Sequence, residues 1–295
     1  MTTRVLGYMG RWNGFSGTRN SCGCDTYVHA GLSPPGFNSI HAQETNEEST
    51  MSQVRENRVI QAMKQGRKAL GYNLTYPSVW DIEILGRLDF DFVWIDGEHG
   101  PFGYSELEET VRAIEAAGAT AVARVENVNQ STILQYLDRG VQGILGPHIA
   151  SGEDAQALVD ACYFGPRGKR SFGGNRGTNY TFTPDPWGDK TAYYKDSNDN
   201  MLVGALLEDQ GAVDNIDDIL KVEGIHHFGI GPNDFAQGIG YPGQPEHPDV
   251  VKVINELSDY IRSKGRLMSG DIMTSVWIHD LLLSSGNEFM KKNGK

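Results

Sequence analysis

The sequence predicts an α/β chain of the (β/α)8 TIM-barrel class, falling short of a full barrel by its C-terminal strand and helix. Three observations carry this. From residue 68 onward, short runs rich in Val, Ile, Leu and aromatic residues alternate with stretches of helical apolar spacing. The units follow one another through short loops, as in a barrel. The first strand is not followed by the glycine-rich turn of a dinucleotide-binding sheet.

The strands are expected at 68–74, 91–96, 119–125, 142–147, 201–208, 226–231 and, more weakly, 266–270. Helices are expected at 78–87, 104–117, 130–139, 151–163, 210–221, 249–264 and 274–284. Ser105 and Glu108 have the spacing of a capping box at the start of the second of these. One long interruption, residues 165–200, has the length of a lid or interface loop. After 274–284 an eighth strand should follow, but the chain runs SSGNEFMKKNGK and stops, so the last strand–helix unit is read as missing.

Residues 1–50 are rich in Gly, Ser, Thr, Asn and Pro and show no sustained period. They are expected to be a disordered or non-native extension, and 51–295 the catalytic barrel. The formal net charge of -12 argues against a nucleic-acid partner. No apolar run is long enough to span a membrane, and no secretion signal opens the chain. The cysteines, Cys22, Cys24 and Cys162, make no disulfide framework, which suits a cytoplasmic location.

The ionisable residues then fall at strand ends. DFVWIDGEHG, residues 91–100, runs from a buried strand into Asp96, Glu98 and His99. Arg124 ends the third strand, His148 follows the fourth, Glu208 ends the fifth and Asp234 follows the sixth. In such barrels catalytic groups gather on the face of the C-terminal strand ends. Glu208 and Asp234 offer two hard oxygen donors for a divalent cation such as Mg²⁺ or Mn²⁺, leaving positions open for substrate and water. Arg124 beside them would stabilise an oxyanion, and His99 would transfer protons with Asp96 orienting it. Against these stand plainer roles. Asp96 could pair with Arg124, Glu98 and His148 could be structural, and Arg167, Lys169 and Arg170 could form a solvated basic patch. His226 and His227, at the opposite end of their strand, are read as structural, and Tyr193 and Tyr194 as subunit contacts.

Five motifs in order, IDGEHGP (95–101), VARVEN (122–127), GPRGKRSFG (165–173), LLED (206–209) and GIGPNDFAQGIGYPGQPEHPDV (229–250), resemble the HpcH/HpaI family of class II pyruvate aldolases. The resemblance implies a metal-dependent aldehyde-lyase that cleaves or forms 4-hydroxy-2-oxo acids through a pyruvate enolate, with pyruvate and an aldehyde as small-molecule substrates. It implies Glu208 and Asp234 as ligands of Mg²⁺, Mn²⁺ or Co²⁺, His99 as acid/base with Asp96, and Arg124 on the enolate oxygen. Gly231, Pro232, Asn233 and Asp234 would hold the pyruvate carboxylate by their backbone, although Pro232 has no N–H to give. The alternatives are an oxaloacetate decarboxylase or macrophomate-synthase-like carbon–carbon bond former, or an inactive truncated remnant. Leu206 stands where the family often has Gln, and Asn73-Leu74 where it often has Trp-Leu. The family usually assembles into hexamers, and the last helix, read as missing, removes the basis for that here.

Overall fold

A computed structural model describes residues 54–181 and 189–295. The expected extension at 1–50 and part of the 165–200 loop lie outside the described residues. The described residues belong to one compact unit, Thr50–Lys295. Seven parallel strands form one curled sheet: β1 (Ala69–Leu74), β2 (Phe92–Asp96), β3 (Thr120–Arg124), β4 (Gly143–Gly146), β5 (Leu202–Leu207), β6 (His227–Ile230) and β7 (Met273–Trp277). Their order is β6-β5-β4-β3-β2-β1-β7, a TIM-barrel-like α/β arrangement with one strand fewer than eight.

β3, β4 and β5 are buried along their whole length, as strands with a packed interior on one side and helices on the other must be. Those helices are α2 (Val79–Leu85), α3 (Tyr104–Ala116), α4 (Gln130–Leu137), α5 (Gly152–Cys162), α7 (Gln210–Asp214), α8 (Ile216–Lys221) and α10 (Pro248–Ser263). α1 (Arg58–Lys64) packs Val59, Ile60 and Ala62 against Phe92, Val122 and Leu202 at the N-terminal strand ends. Asn57 caps α1 and donates from Nδ2 to the carbonyls of Gln142 and Asn200, tying the helix to the loops before β4 and β5.

Four sequence expectations change here. The helix expected at 274–284 is strand β7 followed by α12 (Ile278–Lys292). Met-Thr-Ser-Val-Trp carries β-branched and aromatic residues, and the open edge of β1 supplies a ladder from Ala69↔Met273 to Asn73↔Trp277. A strand beside β1 and a terminal helix are therefore both present. The shortening lies further back, at 266–272, where Met268 makes a single parallel bridge to Phe228 and α11 (Ser269–Ile272) leads straight into β7. The capping box is not made: Gly103 is the N-cap of α3, and Glu108 pairs with Arg112 one turn on. The expected helix at 210–221 divides at Asn215 into α7 and α8. Four helices were not foreseen: α1 before the first strand, α6 (Thr191–Asp199) in the long loop, α9 (Pro232–Gly238) after β6, and the short α11, which takes up part of the strand expected at 266–270.

Candidate active site

The ladder between β2 and β3 sets Asp96 level with Arg124 at the C-terminal strand ends. Arg124 donates from Nε to Asp96 Oδ1 at 3.0 Å and from Nη2 to Oδ2 at 2.7 Å, a two-pronged pair in which both residues are buried. Its third nitrogen, Nη1, lies 3.1 Å from Glu98 Oε2. Burial opposes the arginine's charge, but the carboxylates of Asp96, Glu98 and Glu208 outweigh it and raise its pKa above the ordinary value. The guanidinium also stands 5.7 Å from the Trp94 ring centre.

His148 joins this group. Its Nε2 is 3.0 Å from Glu98 Oε1, and its Nδ1 is 3.2 Å from Glu208 Oε2. Its backbone N–H donates to the same Glu208 oxygen at 3.0 Å, from a left-handed backbone with φ of 52°. A non-glycine residue held there is a strained position that the surroundings must enforce. Sequence reasoning left Glu98 and His148 as candidates for structural roles; the structure makes them the bridge between Arg124 and Glu208. The spacing of Glu98 two residues past a strand end was the available signal.

Glu208 is buried at 2% exposure, and among the described residues its Oε1 has no hydrogen-bond partner. Burial raises its pKa, the neighbouring Glu98 and Asp234 carboxylates raise it further, and the His148 N–H opposes the rise. A Cβ on Gly231 would come within 2.5 Å of that free oxygen, so only glycine lets the β6–α9 turn approach it. Asp234 lies in the first turn of α9, whose N-cap is Gly231 and whose first residue is Pro232. An unpartnered buried carboxylate oxygen next to other carboxylates, all hard oxygen donors, fits a divalent cation held by Glu208 and Asp234. Among the described residues no three His, Cys, Asp or Glu side chains form a complete cage, so any such ion would complete its shell with other oxygens.

His99 stands apart. Its side chain is 62% exposed, its Nε2 is 3.8 Å from Glu98 Oε2, and its backbone N–H donates to Asp96 Oδ1 at 3.3 Å. Asp96 thus fixes Arg124 through both oxygens and reaches His99 through the main chain. His226 and His227 are at the other end of β6, as expected. Tyr193 and Tyr194, expected at a subunit contact, pack within the chain: Tyr194 stacks on Phe164 at 4.3 Å and Tyr193 meets Phe172 edge-on. Arg170, expected in a solvated patch, is 7% exposed.

Residues 78–291 match the model of the HpcH/HpaI aldolase/citrate lyase family. The chain is 31% identical over 209 residues to the 4-hydroxy-2-oxovalerate aldolase of Rhodococcus jostii, covering 70% of this chain and 77% of that protein. It is 32% identical over 213 residues to the 4-hydroxy-2-oxo-heptane-1,7-dioate aldolase of Escherichia coli, covering 72% and 79%. Among solved structures, an aldolase/citrate lyase family protein of Burkholderia cenocepacia superposes with a TM-score of 0.72 at 22% identity, over 81% of this chain and 100% of that one. Macrophomate synthase superposes at 0.62, also 22% identical, over 81% and 90%; at this identity the likeness is one of fold.

Proposed function

The chain belongs to the HpcH/HpaI aldolase/citrate lyase family, and on that premise we propose that it is a pyruvate aldolase, a carbon–carbon lyase that cleaves and forms 4-hydroxy-2-oxo acids through a pyruvate enolate. The observation that carries the reading is the continuous network Asp96–Arg124–Glu98–His148–Glu208, which gathers at the C-terminal strand ends and leaves one Glu208 oxygen without a partner. Relatives at this similarity are named as aldolases of 4-hydroxy-2-oxo acids and of hydroxypyruvate/pyruvate. Oxaloacetate decarboxylation and macrophomate-synthase chemistry are not favoured, because that neighbour shares the fold at low identity.

Glu208 and Asp234 would hold a divalent cation, which when bound supplies Lewis-acid stabilisation of the enolate oxygen. The remaining work falls to the chain itself. The first-turn N–H groups of a helix have no acceptor within it, so Asn233 and Asp234 at the start of α9 offer theirs to the pyruvate carboxylate. Arg124, oriented by Asp96, directs its uncommitted N–H groups at the C2 oxygen as negative charge grows there. His99 Nε2 takes the proton from the C4 hydroxyl. The C3–C4 bond then breaks, its electron pair passes into the C2–C3 enolate, and the aldehyde departs. Protonation at C3 yields pyruvate, and the reverse sequence is aldol addition. A cytoplasmic location and a homo-oligomeric assembly go with this reading. Among the described residues no helix is long and apolar enough to cross a membrane.

The test follows the methyl signal of pyruvate in D2O by NMR, with metal-stripped protein before and after adding Mg²⁺, Mn²⁺ or Co²⁺. Deuterium exchange that needs the added ion, and that Glu208→Ala or Arg124→Ala abolishes, supports enolate formation without knowledge of the aldehyde. Folded protein that exchanges nothing with any of the three ions overturns it.

A further inference from the structure

At the end of the barrel opposite the active site, a cavity of about 330 Å³ opens between the loops that lead into β4 and β5, with walls that include Gly140–Gln142 and Met201. Three arginines line it: Arg55, Arg170 and Arg176. Arg55 and Arg176 both reach Glu115, one carboxylate between two guanidinium groups. Among the described residues Arg170 has no such partner. It is 7% exposed, its Nε makes no hydrogen bond, and its guanidinium carbon lies 4.5 Å from the centre of the Phe164 ring. Arg176 Nε is likewise buried without a partner. Asp138 acts on Arg170 electrostatically but forms no ion pair with it.

Among the described residues, three guanidinium groups and no carboxylate line the wall; Glu115 pairs with two of them, and Asp138 and Glu108 act on Arg170 and Arg176 without pairing, in a chain whose net charge is -12. An aromatic face compensates a buried guanidinium only in part, and an unpaired buried charge is among the costlier features a fold can retain. Guanidinium forks match the oxygens of phosphate and carboxylate. The buried Ser197 and the Tyr193 ring also line the wall. We propose that this cavity is a binding site for a small oxyanion, bearing phosphate or carboxylate oxygens, that bonds to Arg170 and Arg176. It is separate from the aldolase site, because its walls are the loops before β4 and β5 and the active site follows β2 to β6 at the other end.

The full-length protein is titrated calorimetrically with inorganic phosphate and, separately, with succinate, at ionic strength held constant with sodium chloride. In parallel, peptide mass spectrometry follows phenylglyoxal modification of the arginines. The expected result is saturable one-site binding of at least one of the two anions, with Arg55 and Arg176 protected and Arg124 unprotected. The anion that binds identifies the class. Arg170→Gln and Arg176→Gln are expected to weaken binding by about tenfold each, the effect of one lost charge-assisted hydrogen bond. No saturable binding of either anion overturns the proposal. So does protection of Arg124 in place of Arg55 and Arg176, or unchanged affinity in folded variants. Should Arg170→Gln fail to fold, the more exposed Arg176→Gln and the labelling of the unsubstituted protein decide.

Discussion

Arg124 has five N–H groups, of which Asp96 takes two and Glu98 engages a third nitrogen. What remains for substrate is directional, because the guanidinium plane cannot turn without breaking the Asp96 fork. Arg124→Lys keeps the charge but loses the fork, so it is expected to recover little of the activity lost in Arg124→Ala. Both should fall about a hundredfold or more in pyruvate enolisation, the usual effect of removing an oxyanion donor. A second expectation concerns His148, whose φ of 52° a glycine adopts without strain. His148→Gly and His148→Ala both remove the ring between Glu98 and Glu208, and both should lose activity. The glycine variant should nevertheless be the more stable by about 1 kcal/mol in denaturant titrations. Equal stabilities would show that the backbone there is unstrained. Asp96, Arg124 and Glu208 at strand ends, and Asp234 in the turn after β6, were legible as site candidates because position relative to a strand end is a sequence property. The way Glu98 and His148 link them was not, since it depends on a left-handed turn after β4 that no residue type at 148 announces.

At the start of β6, His227 and the residue before it, His226, are two histidines that the fold keeps neutral. Burial lowers the pKa of His226 from 6.5 to about 4 and of His227 from 6.5 to about 3. His226 Nδ1 accepts the Val203 N–H at 3.1 Å, which a protonated nitrogen could not do. His227 Nδ1 is 2.8 Å from Ser269 Oγ, which donates to the Phe228 carbonyl. Above the ordinary value of 6.5 neither state holds these protons. Below it the unfolded chain binds them and the folded chain does not, so stability falls as pH falls. The slope is about 1.4 kcal/mol per pH unit for each histidine, and it levels off at the folded pKa of each. Denaturation between pH 6.5 and 4.5 should show this loss, and His227→Gln should reduce the slope by roughly one histidine's share. A slope unchanged in His227→Gln would mean that the ring is protonated in the fold.

For the whole molecule, the consequential feature is how the sheet ends. β6 and β7 are its edges, and the segment Leu267–Ile272 crosses between them. The gap holds a cavity of about 530 Å³ walled by residues of β6, β7 and α10 and reaching Asn73 and Trp94 inside the barrel. Asn73 is buried, and among the described residues its Oδ1 has no partner. Asn73→Leu, which removes an unsatisfied polar group at similar volume, is expected to stabilise the protein by about 1 kcal/mol in denaturant titrations. Destabilisation would mean that water or a ligand completes the amide's bonds. Beyond β7, α12 buries only Ile278, while Leu282, Leu283, Phe289 and Met290 are exposed. The absence of a terminal helix, the sequence reason for doubting an oligomer, therefore does not hold. An exposed apolar helix face of this kind favours association. Sedimentation should show self-association that Leu283→Glu combined with Phe289→Glu weakens, and a chain that is monomeric without substitution would refute it.

The class of fold was legible along the chain, because alternation of buried strands and amphipathic helices is a local, periodic property. The sequence also showed that Asp96, Arg124 and Glu208 stand at strand ends and that Asp234 follows the sixth strand, because counting along a strand places its end. Tertiary structure alone decided the rest. Met273–Trp277 became a strand because β1 offered an open edge, a partner that lies about two hundred residues away along the chain. Arg170 became buried, and Glu98 and His148 became the link between a guanidinium and a carboxylate, because the side chains they meet come from loops distant in sequence. Burial and charge pairing are properties of neighbours in space, and those exist only once the chain has folded.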